Sequence, residues 1–262
     1  MGESAQVPAA ILAGGDATDK VALAAGVPCK ALAEIEGRPL VSWVAEALAL
    51  AQTVGAVVAV EGPTRALSGA GEPAGVPVVT AAGPGFIDTM AAAAEAYADA
   101  ETIVLVTGDL PLLHPEAIDD YLRSCQGGRA EVSYPLVRED EFDRAFPGRG
   151  KFAAPLREGR FIGANVVPVS RRFILEEGPI IASTFARRKS IVGMCSLLGW
   201  GFVLRLALGR LSVADLERRA SAMLGTELRA VPTSWPEIAF DVDTADDLEL
   251  ARHYLRRRLE GA

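Results

Sequence analysis

The feature that most constrains this chain is an apolar run that leads into two adjacent glycines. Residues Val7 to Leu12 are all apolar, and Gly14 and Gly15 follow almost at once. An uninterrupted apolar run of this length is typical of a strand buried on both faces of a parallel sheet. Because glycine has no Cβ and tolerates positive φ, the pair lets backbone N–H groups approach a ligand closely. The pattern predicts a strand followed by a ligand-binding loop.

Two features further along the chain favour phosphate as that ligand. Lys30 lies just beyond the glycines, and an ammonium together with backbone N–H groups can hold a phosphate. The segment Gly37–Leu40 then opens a helical pattern with proline near its first position, where the missing N–H costs little. The two commonest phosphate-loop patterns, GxxxxGK[ST] and GxGxxG, are absent here. Strand, loop and helix in this order predict nucleotide binding.

Composition narrows the class of protein. The 262 residues are 50% hydrophobic and carry a net charge of −8, which suits one α/β domain and argues against a nucleic-acid partner. The three cysteines, Cys29, Cys125 and Cys195, are far apart, so neither a disulfide framework nor a zinc site is indicated. The first residues lack a basic segment and a signal-like apolar core. We therefore expect a cytoplasmic enzyme without a transmembrane segment.

Strand and helix patterns alternate along the chain. Val54 to Val60 and Thr102 to Val106 are short apolar runs, whereas Pro39 to Gln52 and Thr89 to Ala100 have helical spacing or composition. Continuous apolar strands separated by helices predict a mostly parallel sheet covered on both faces, a three-layer α/β/α fold. In such sheets ligands bind outside the carboxyl ends of the strands. The loops that carry Gly14 and Asp109 leave such ends, so they can converge.

Two carboxylates are candidate metal ligands. Asp109 follows a buried strand run and Asp243 follows a shorter one near the C-terminus. Magnesium is usually held by one or two carboxylates together with substrate phosphates, so the pair predicts a Mg²⁺ site. Two alternatives stay open: that Asp243 or Thr244 only caps the helix from Ala245, and that Asp241 is the second ligand instead.

Three motifs together resemble the MobA-like nucleotidyltransferase superfamily. They are the first loop, Leu12–Gly15 with Pro28–Leu32 and Gly37–Leu40, then Thr107–Leu113, and finally Phe240–Leu248. The superfamily includes molybdenum-cofactor guanylyltransferases, methylerythritol cytidylyltransferases and sugar-phosphate nucleotidyltransferases. The motifs occur in the expected order over most of the chain. The resemblance implies a GT-A-like, Rossmann-like fold and a single domain over residues 1–262.

The resemblance also implies a reaction and its site residues. A phosphate or similar oxyanion of a small phosphorylated acceptor would attack the α-phosphorus of a nucleoside triphosphate, and pyrophosphate would leave. Lys30 would stabilise the developing charge, and Mg²⁺ would bind Asp109 and Asp243. The acceptor would contact Asn165, in a Gly-x-Asn strand. Lys151, in the polar stretch before that strand, is a second candidate for an anionic acceptor, and solvent exposure is the alternative. The nucleotide would contact Leu12, Ala13, Gly14, Gly15 and Asp109. Gly85 is a further candidate for nucleotide binding, because Gly83–Gly85 precedes a predicted helix whose first N–H groups favour anions. An ordinary glycine turn is the alternative at this position.

One departure from the family concerns an arginine that usually lies four or five residues past the second glycine. Here the stretch Gly15–Lys20 contains Asp16 and Asp19 but no arginine. Lys20 is the candidate replacement. Because two aspartates beside a triphosphate would repel it, a catalytically degenerate nucleotide-binding protein stays an alternative. A GT-A glycosyltransferase is a second alternative, since Asp241 and Asp243 form a DxD pattern, although the position of Asp109 favours nucleotidyl transfer.

Residues 178 to 225 are predicted to form a helical insertion. Within it, Ile191–Leu204 carries no charge for fourteen residues, a length too short to span a bilayer. We interpret it as a buried helix that covers the acceptor pocket or forms a homodimer interface. A surface that contacts a membrane or an amphiphilic substrate is the alternative.

Overall fold

The structure is a computed structural model that describes residues 6–126, 130–178 and 198–260. Its strands, in chain order, are β1 Val7–Ala13, β2 Glu34–Ile35, β3 Arg38–Pro39, β4 Val54–Glu61, β5 Val78–Thr80, β6 Thr102–Thr107, β7 Val132–Arg138, β8 Ala154–Leu156, β9 Gly159–Gly163, β10 Val166–Ser170 and β11 Leu228–Thr233. Its helices are α1 Lys20–Ala25, α2 Leu40–Leu50, α3 Ala66–Ala70, α4 Phe86–Ala96, α5 Pro115–Cys125, α6 Glu139–Ala145, α7 Arg171–Glu176, α8 Trp200–Ala207, α9 Val213–Leu224 and α10 Ala245–Glu260.

A central sheet runs in the order β5-β4-β1-β6-β10-β7-β9-β8, and β11 pairs with β7. Strands β5, β4, β1 and β6 are parallel neighbours, and β9 and β10 run in the opposite direction. Leu12 of β1 pairs with Thr107 of β6, so the carboxyl ends of these strands are level. The loops that carry Gly14 and Asp109 therefore leave the same edge of the sheet, as the strand pattern predicted.

Each face of the sheet has its own hydrophobic core. On one face Ile11 and Val106 pack with buried residues of α2, α5 and α10. On the other face their neighbours Ala10 and Leu105 pack with α4 and α7. Successive strand residues point to opposite faces, so fully apolar strands supply both cores at once. This arrangement confirms the predicted three-layer, mostly parallel α/β/α fold.

Glu61, the last residue of β4, is a buried carboxylate that fixes the loop beside the glycines. It is 1% exposed and accepts hydrogen bonds from the backbone N–H groups of Leu67 (2.9 Å) and Ser68 (3.0 Å), the Ser68 hydroxyl and the Thr80 hydroxyl (3.0 Å). Burial by itself raises the pKa of Glu61, but these donors outweigh it and hold the pKa below its ordinary value. The following residue, Gly62, packs against the backbone of Gly14.

Replacing Glu61 with glutamine is expected to lower the free energy of unfolding at neutral pH by about 1–3 kcal/mol. Because the folded pKa lies below the ordinary value of 4.5, the stabilisation is complete above 4.5 and is lost as pH falls through the folded pKa. Urea unfolding of both proteins from about pH 7 down to about pH 3 measures this difference. A difference that stays constant below pH 4.5 would contradict the role of the charge.

Helices α8 and α9 lie within the region predicted as a helical insertion. Residues 179–197 lie outside the described residues, so the bounds of the insertion stay a prediction, as does a homodimer. The prediction that Ile191–Leu204 is a buried helix is wrong for its described part. Trp200 is 69% and Leu204 61% exposed, and no residue of α8 is buried. Only Phe202 and Leu206, four residues apart on one helix face, pack inward, on a core of Leu136, Leu156, Phe161 and Leu211.

None of the helices within the described ranges is long and apolar enough to cross a membrane.

Candidate active site

Lys30 lies between two carboxylates at the carboxyl edge of the sheet. It begins a short 3₁₀ helix, Lys30–Leu32, whose buried residues hold the backbone in place. Its Nζ atom lies 2.5 Å from Asp109 Oδ2 and 3.2 Å from Asp243 Oδ1. Burial by itself lowers the pKa of Lys30, but the carboxylates, chiefly Asp109, outweigh burial and raise it. Lys30 is therefore a fixed positive charge at neutral pH.

Asp109 is a buried carboxylate with one oxygen unused. The residue is 8% exposed, and its Oδ1 atom has no hydrogen-bond partner in the described part of the chain. Burial raises the pKa of Asp109, and Lys30 offsets only part of this effect. The carbonyl of Asp109 also accepts a hydrogen bond from the N–H of Val242 (3.0 Å), which joins this loop to the one that carries Asp243.

Asp109 and Asp243 are the candidate carboxylate ligands for a cation. The unused buried oxygen of Asp109 and the 59% exposed side chain of Asp243 are oxygen donors of the type Mg²⁺ prefers. Within residues 6–126, 130–178 and 198–260, no cluster of three or more His, Cys, Asp or Glu could hold a metal ion. A cation here would need substrate phosphates to complete its coordination, which is the usual arrangement for Mg²⁺.

Asp241, the rival ligand, has both carboxylate oxygens occupied. Lys151 Nζ lies 2.7 Å from Oδ1, and Asn165 Nδ2 donates to Oδ2 at 3.1 Å. The guanidinium of Arg149 is a third partner, with Nη2 at 3.7 Å from Asp241 Oδ1. Burial by itself raises the pKa of Asp241, but its partners, chiefly Lys151, together outweigh burial and lower the pKa. The geometry therefore favours Asp243 over Asp241 as the available carboxylate.

Helix α10 is capped by Thr244 and Asp247 rather than by the Asp243 carboxylate. Thr244 Oγ1 accepts from the N–H of Asp247 (3.2 Å), and Asp247 Oδ2 accepts from the N–H groups of Asp243 (3.1 Å) and Thr244 (2.9 Å). Arg149 Nε forms an ion pair with Asp247 at 2.7 Å. Sequence reasoning missed this role of Arg149, because its polar, glycine-rich stretch carries no periodic signal.

Two cavities meet at Lys30 and Asp109. The first, of about 350 Å³, is lined by the predicted nucleotide-binding residues, namely Leu12, Ala13, Gly14, Gly15, Gly85 and Asp109. The second, of about 500 Å³, is lined in part by Asn165, Asp241 and Asp243. The described linings include neither Lys20, which is exposed at the start of α1, nor Lys151, which faces Asp241. Contacts of Lys20 with a triphosphate and of Lys151 with an acceptor stay predictions.

The acids near the first glycine loop form local turns. Asp19 caps α1 by accepting from the N–H groups of Val21 (2.9 Å) and Ala22 (3.3 Å). Asp16 accepts from the N–H (2.8 Å) and the hydroxyl (2.5 Å) of Thr18. These bonds give both aspartates a structural role in the segment where the family usually has its arginine.

The glycine loop is shaped by close packing rather than by positive φ. Neither Gly14 nor Gly15 has a positive φ. A Cβ on Gly14 would lie 2.5 Å from Thr89 Cγ2 of α4, whereas a Cβ on Gly15 would meet nothing within 4 Å. Gly85 caps α4, and its N–H donates to Asp88 Oδ2 at 2.8 Å, so this N–H already has an internal anionic partner.

Gly14→Ala is expected to destabilise the fold by about 1–3 kcal/mol, because the new methyl group must displace Thr89 or the loop. Gly15→Ala is the matched control, and it should leave the free energy of unfolding nearly unchanged. Thermal and urea unfolding of the two variants measure the contrast. Equal stability of the two variants would contradict the packing role of Gly14.

One family model and several known proteins are similar to this chain. The family model for the MobA-like NTP transferase domain matches residues 9–190. A 3-deoxy-manno-octulosonate cytidylyltransferase of Anaeromyxobacter dehalogenans (strain 2CP-C) is 28% identical over 234 residues, which are 87% of this chain and 91% of the relative. A solved structure described as a hypothetical transferase from Thermus thermophilus is 34% identical, with a TM-score of 0.79 over 93% of this chain and 99% of that chain.

A third similarity concerns the fold alone. The structure of a CMP:2-keto-3-deoxy-manno-octonic acid synthetase complexed with CTP has a TM-score of 0.58 at 14% identity, and the match covers 97% of this chain and 99% of that one. The family model spans both loops that meet at Lys30 and Asp109. The chain therefore belongs to the MobA-like NTP transferase domain family, a family of nucleotidyltransferases, as its three motifs predicted.

Proposed function

We propose that this chain transfers CMP from CTP to a small phosphorylated acceptor and releases pyrophosphate. The observation that carries the proposal is the position of Lys30 between Asp109 and Asp243, at the junction of two cavities. One cavity would receive the triphosphate and the other the acceptor. CTP is chosen because the relatives at 28% identity are named as cytidylyltransferases.

Lys30 supplies a positive charge where the reacting phosphates would meet. Its raised pKa keeps the ammonium protonated, so it neutralises negative charge that develops as pyrophosphate leaves. An acceptor phosphate is already ionised at neutral pH and needs no enzyme nucleophile. Catalysis then depends on positioning and on charge neutralisation, as in other phosphoryl transfers.

Asp109 and Asp243 would hold a divalent cation, which we propose to be Mg²⁺. When bound, that ion neutralises phosphate charge and fixes the triphosphate geometry. The backbone from Leu12 to Gly15 lines the first cavity and would contact the nucleoside and its phosphates. Asn165 lines the second cavity and would contact the acceptor, with its amide already oriented by Asp241.

Stabilisation by nucleotides tests the proposal and its main alternative together. CTP with Mg²⁺ at about 100 times its Kd should add about 2.7 kcal/mol to the free energy of unfolding, and GTP, ATP and UTP should add less. Pyrophosphate release with an acceptor would then establish turnover. If CTP binds but no acceptor leads to pyrophosphate release, the catalytically degenerate nucleotide-binding protein would be favoured. The presence of Asp16 and Asp19 in place of the family arginine supports that alternative. Stabilisation by nucleotide sugars alone would favour glycosyl transfer.

A further inference from the structure

The second cavity has a polar end and an apolar end. Lys30, Asp109, Asn165 and Asp243 form the polar end. Thr107 and Asp241 belong to the same end. Tyr134 is the other polar side chain of the described lining. The remaining described side chains of the lining are apolar, and they include Leu105, Val132, Val167, Val169, Leu224 and Leu228.

The apolar end is a groove over one face of the sheet. Its floor comes from β6, β10 and β7, and its sides include Phe173 of α7 and Leu224 at the end of α9. Along β10, Val167 pairs with Leu105 and Val169 with Ile103, and both valines line the cavity. From Asn165 at the polar end to Val169, four residues at about 3.3 Å each carry the groove roughly 13 Å along the sheet. The groove is continuous with the place where the acceptor phosphate would lie, so the rest of the acceptor must meet this surface.

A polyhydroxylated acceptor does not suit such a surface. Each hydroxyl that leaves water and finds no hydrogen-bond partner weakens binding by about tenfold. The described groove offers few partners beyond the cluster around Lys30. A hydrocarbon group, in contrast, gains affinity from the same surface because its burial removes apolar area from water.

We propose that the acceptor is a phosphate monoester whose remaining part is a single hydrocarbon group, with its phosphate at Lys30 and its hydrocarbon in the apolar groove. The inference rests on the proposed cytidylyl transfer and names its substrate class. An oxygen of the acceptor phosphate forms a bond to the α-phosphorus of CTP. The bond from that phosphorus to the bridging oxygen breaks, and pyrophosphate leaves with the electron pair. No proton moves when the acceptor phosphate is a dianion.

Calorimetric titration of the intact protein tests this, with Mg²⁺ and a CTP analogue that has a methylene between its α- and β-phosphorus atoms. Ethyl, butyl and hexyl phosphate should bind progressively more tightly, by about fourfold per methylene, the factor that corresponds to about 0.8 kcal/mol per buried CH₂. Propyl phosphate and glycerol 3-phosphate share a three-carbon skeleton and differ by two hydroxyls. Propyl phosphate should bind at least about tenfold more tightly. Equal affinities, or the reverse order, would overturn the inference.

A pair of leucine variants tests whether the apolar groove causes the dependence of affinity on chain length. Leu224→Glu places a charge in the groove and should remove the dependence on chain length without changing affinity for the CTP analogue. Leu208→Glu is the matched control, because Leu208 is 55% exposed at the end of α8 and does not belong to the described lining. The series on the unmodified protein decides the question even if Leu224→Glu does not fold. Analogue binding with a flat chain-length series overturns this inference alone, whereas no analogue binding overturns the proposed function itself.

Discussion

Replacing Lys30 with methionine is expected to lower kcat for the proposed cytidylyl transfer by about 10²–10³-fold, the usual cost of removing one preorganised group that stabilises transition-state charge. Lys30 is the cation that Asp109 and Asp243 hold at the junction of the two cavities. Methionine keeps much of the side-chain volume and removes the charge. Pyrophosphate release under saturating CTP measures the effect, and a folded variant within about threefold of the wild-type rate would contradict the assignment.

The stability of the Lys30 variant needs a control of its own. Removing the ammonium leaves Asp109 buried and uncompensated, which costs about 3–5 kcal/mol when one partner of a buried pair is lost. The double variant Lys30→Met with Asp109→Asn removes both charges and should recover much of this stability without recovering activity.

The variant Lys20→Met tests whether Lys20 replaces the family arginine. A large loss of CTP affinity would confirm that role, and an unchanged affinity would show it to be wrong.

Asp109→Asn is expected to abolish the Mg²⁺-dependent part of CTP binding while leaving the protein folded. The amide is isosteric and neutral, and a neutral group is favoured at a site where burial raises the pKa of the carboxyl. Lys30 keeps Asp243 as a partner. Thermal unfolding with CTP, with and without Mg²⁺, should show a shift that depends on the metal in the wild type and not in the variant.

Asp241→Asn is the matched comparison for Asp109→Asn. Asp241 lies in the same cluster, but Lys151 and Asn165 occupy its oxygens. Its replacement weakens the pair with Lys151 and should lower stability by about 3–5 kcal/mol, yet the dependence of CTP binding on Mg²⁺ should persist. Asp109→Asn should therefore remove the metal dependence and leave the protein folded, whereas Asp241→Asn should lower the stability and keep the metal dependence. Loss of Mg²⁺ dependence in Asp241→Asn alone would exchange the roles of the two aspartates.

Local patterns were enough to predict which loops meet at the candidate site. The apolar runs of β1 and β6 are long and uninterrupted, and parallel strands bring their carboxyl ends to one edge. The loops of Gly14 and Asp109 could therefore be placed together from sequence, and the structure also brings Lys30 to 2.5 Å from Asp109. The same reasoning could not choose between Asp241 and Asp243. The partners that occupy the oxygens of Asp241 are Lys151 and Asn165, which lie 90 and 76 residues away from it.

The sequence by itself determined the layers of this protein, the family to which it belongs and the loops that meet at Lys30, because strand burial, glycine placement and motif order are local properties. Only the tertiary structure decided which carboxylate oxygens stay unpaired, how Arg149 supports the loop of Asp243 through Asp247, and that α8 exposes Trp200 rather than burying it. Those outcomes depend on contacts between residues that are far apart in the sequence. No local pattern records the geometry of such long-range pairs.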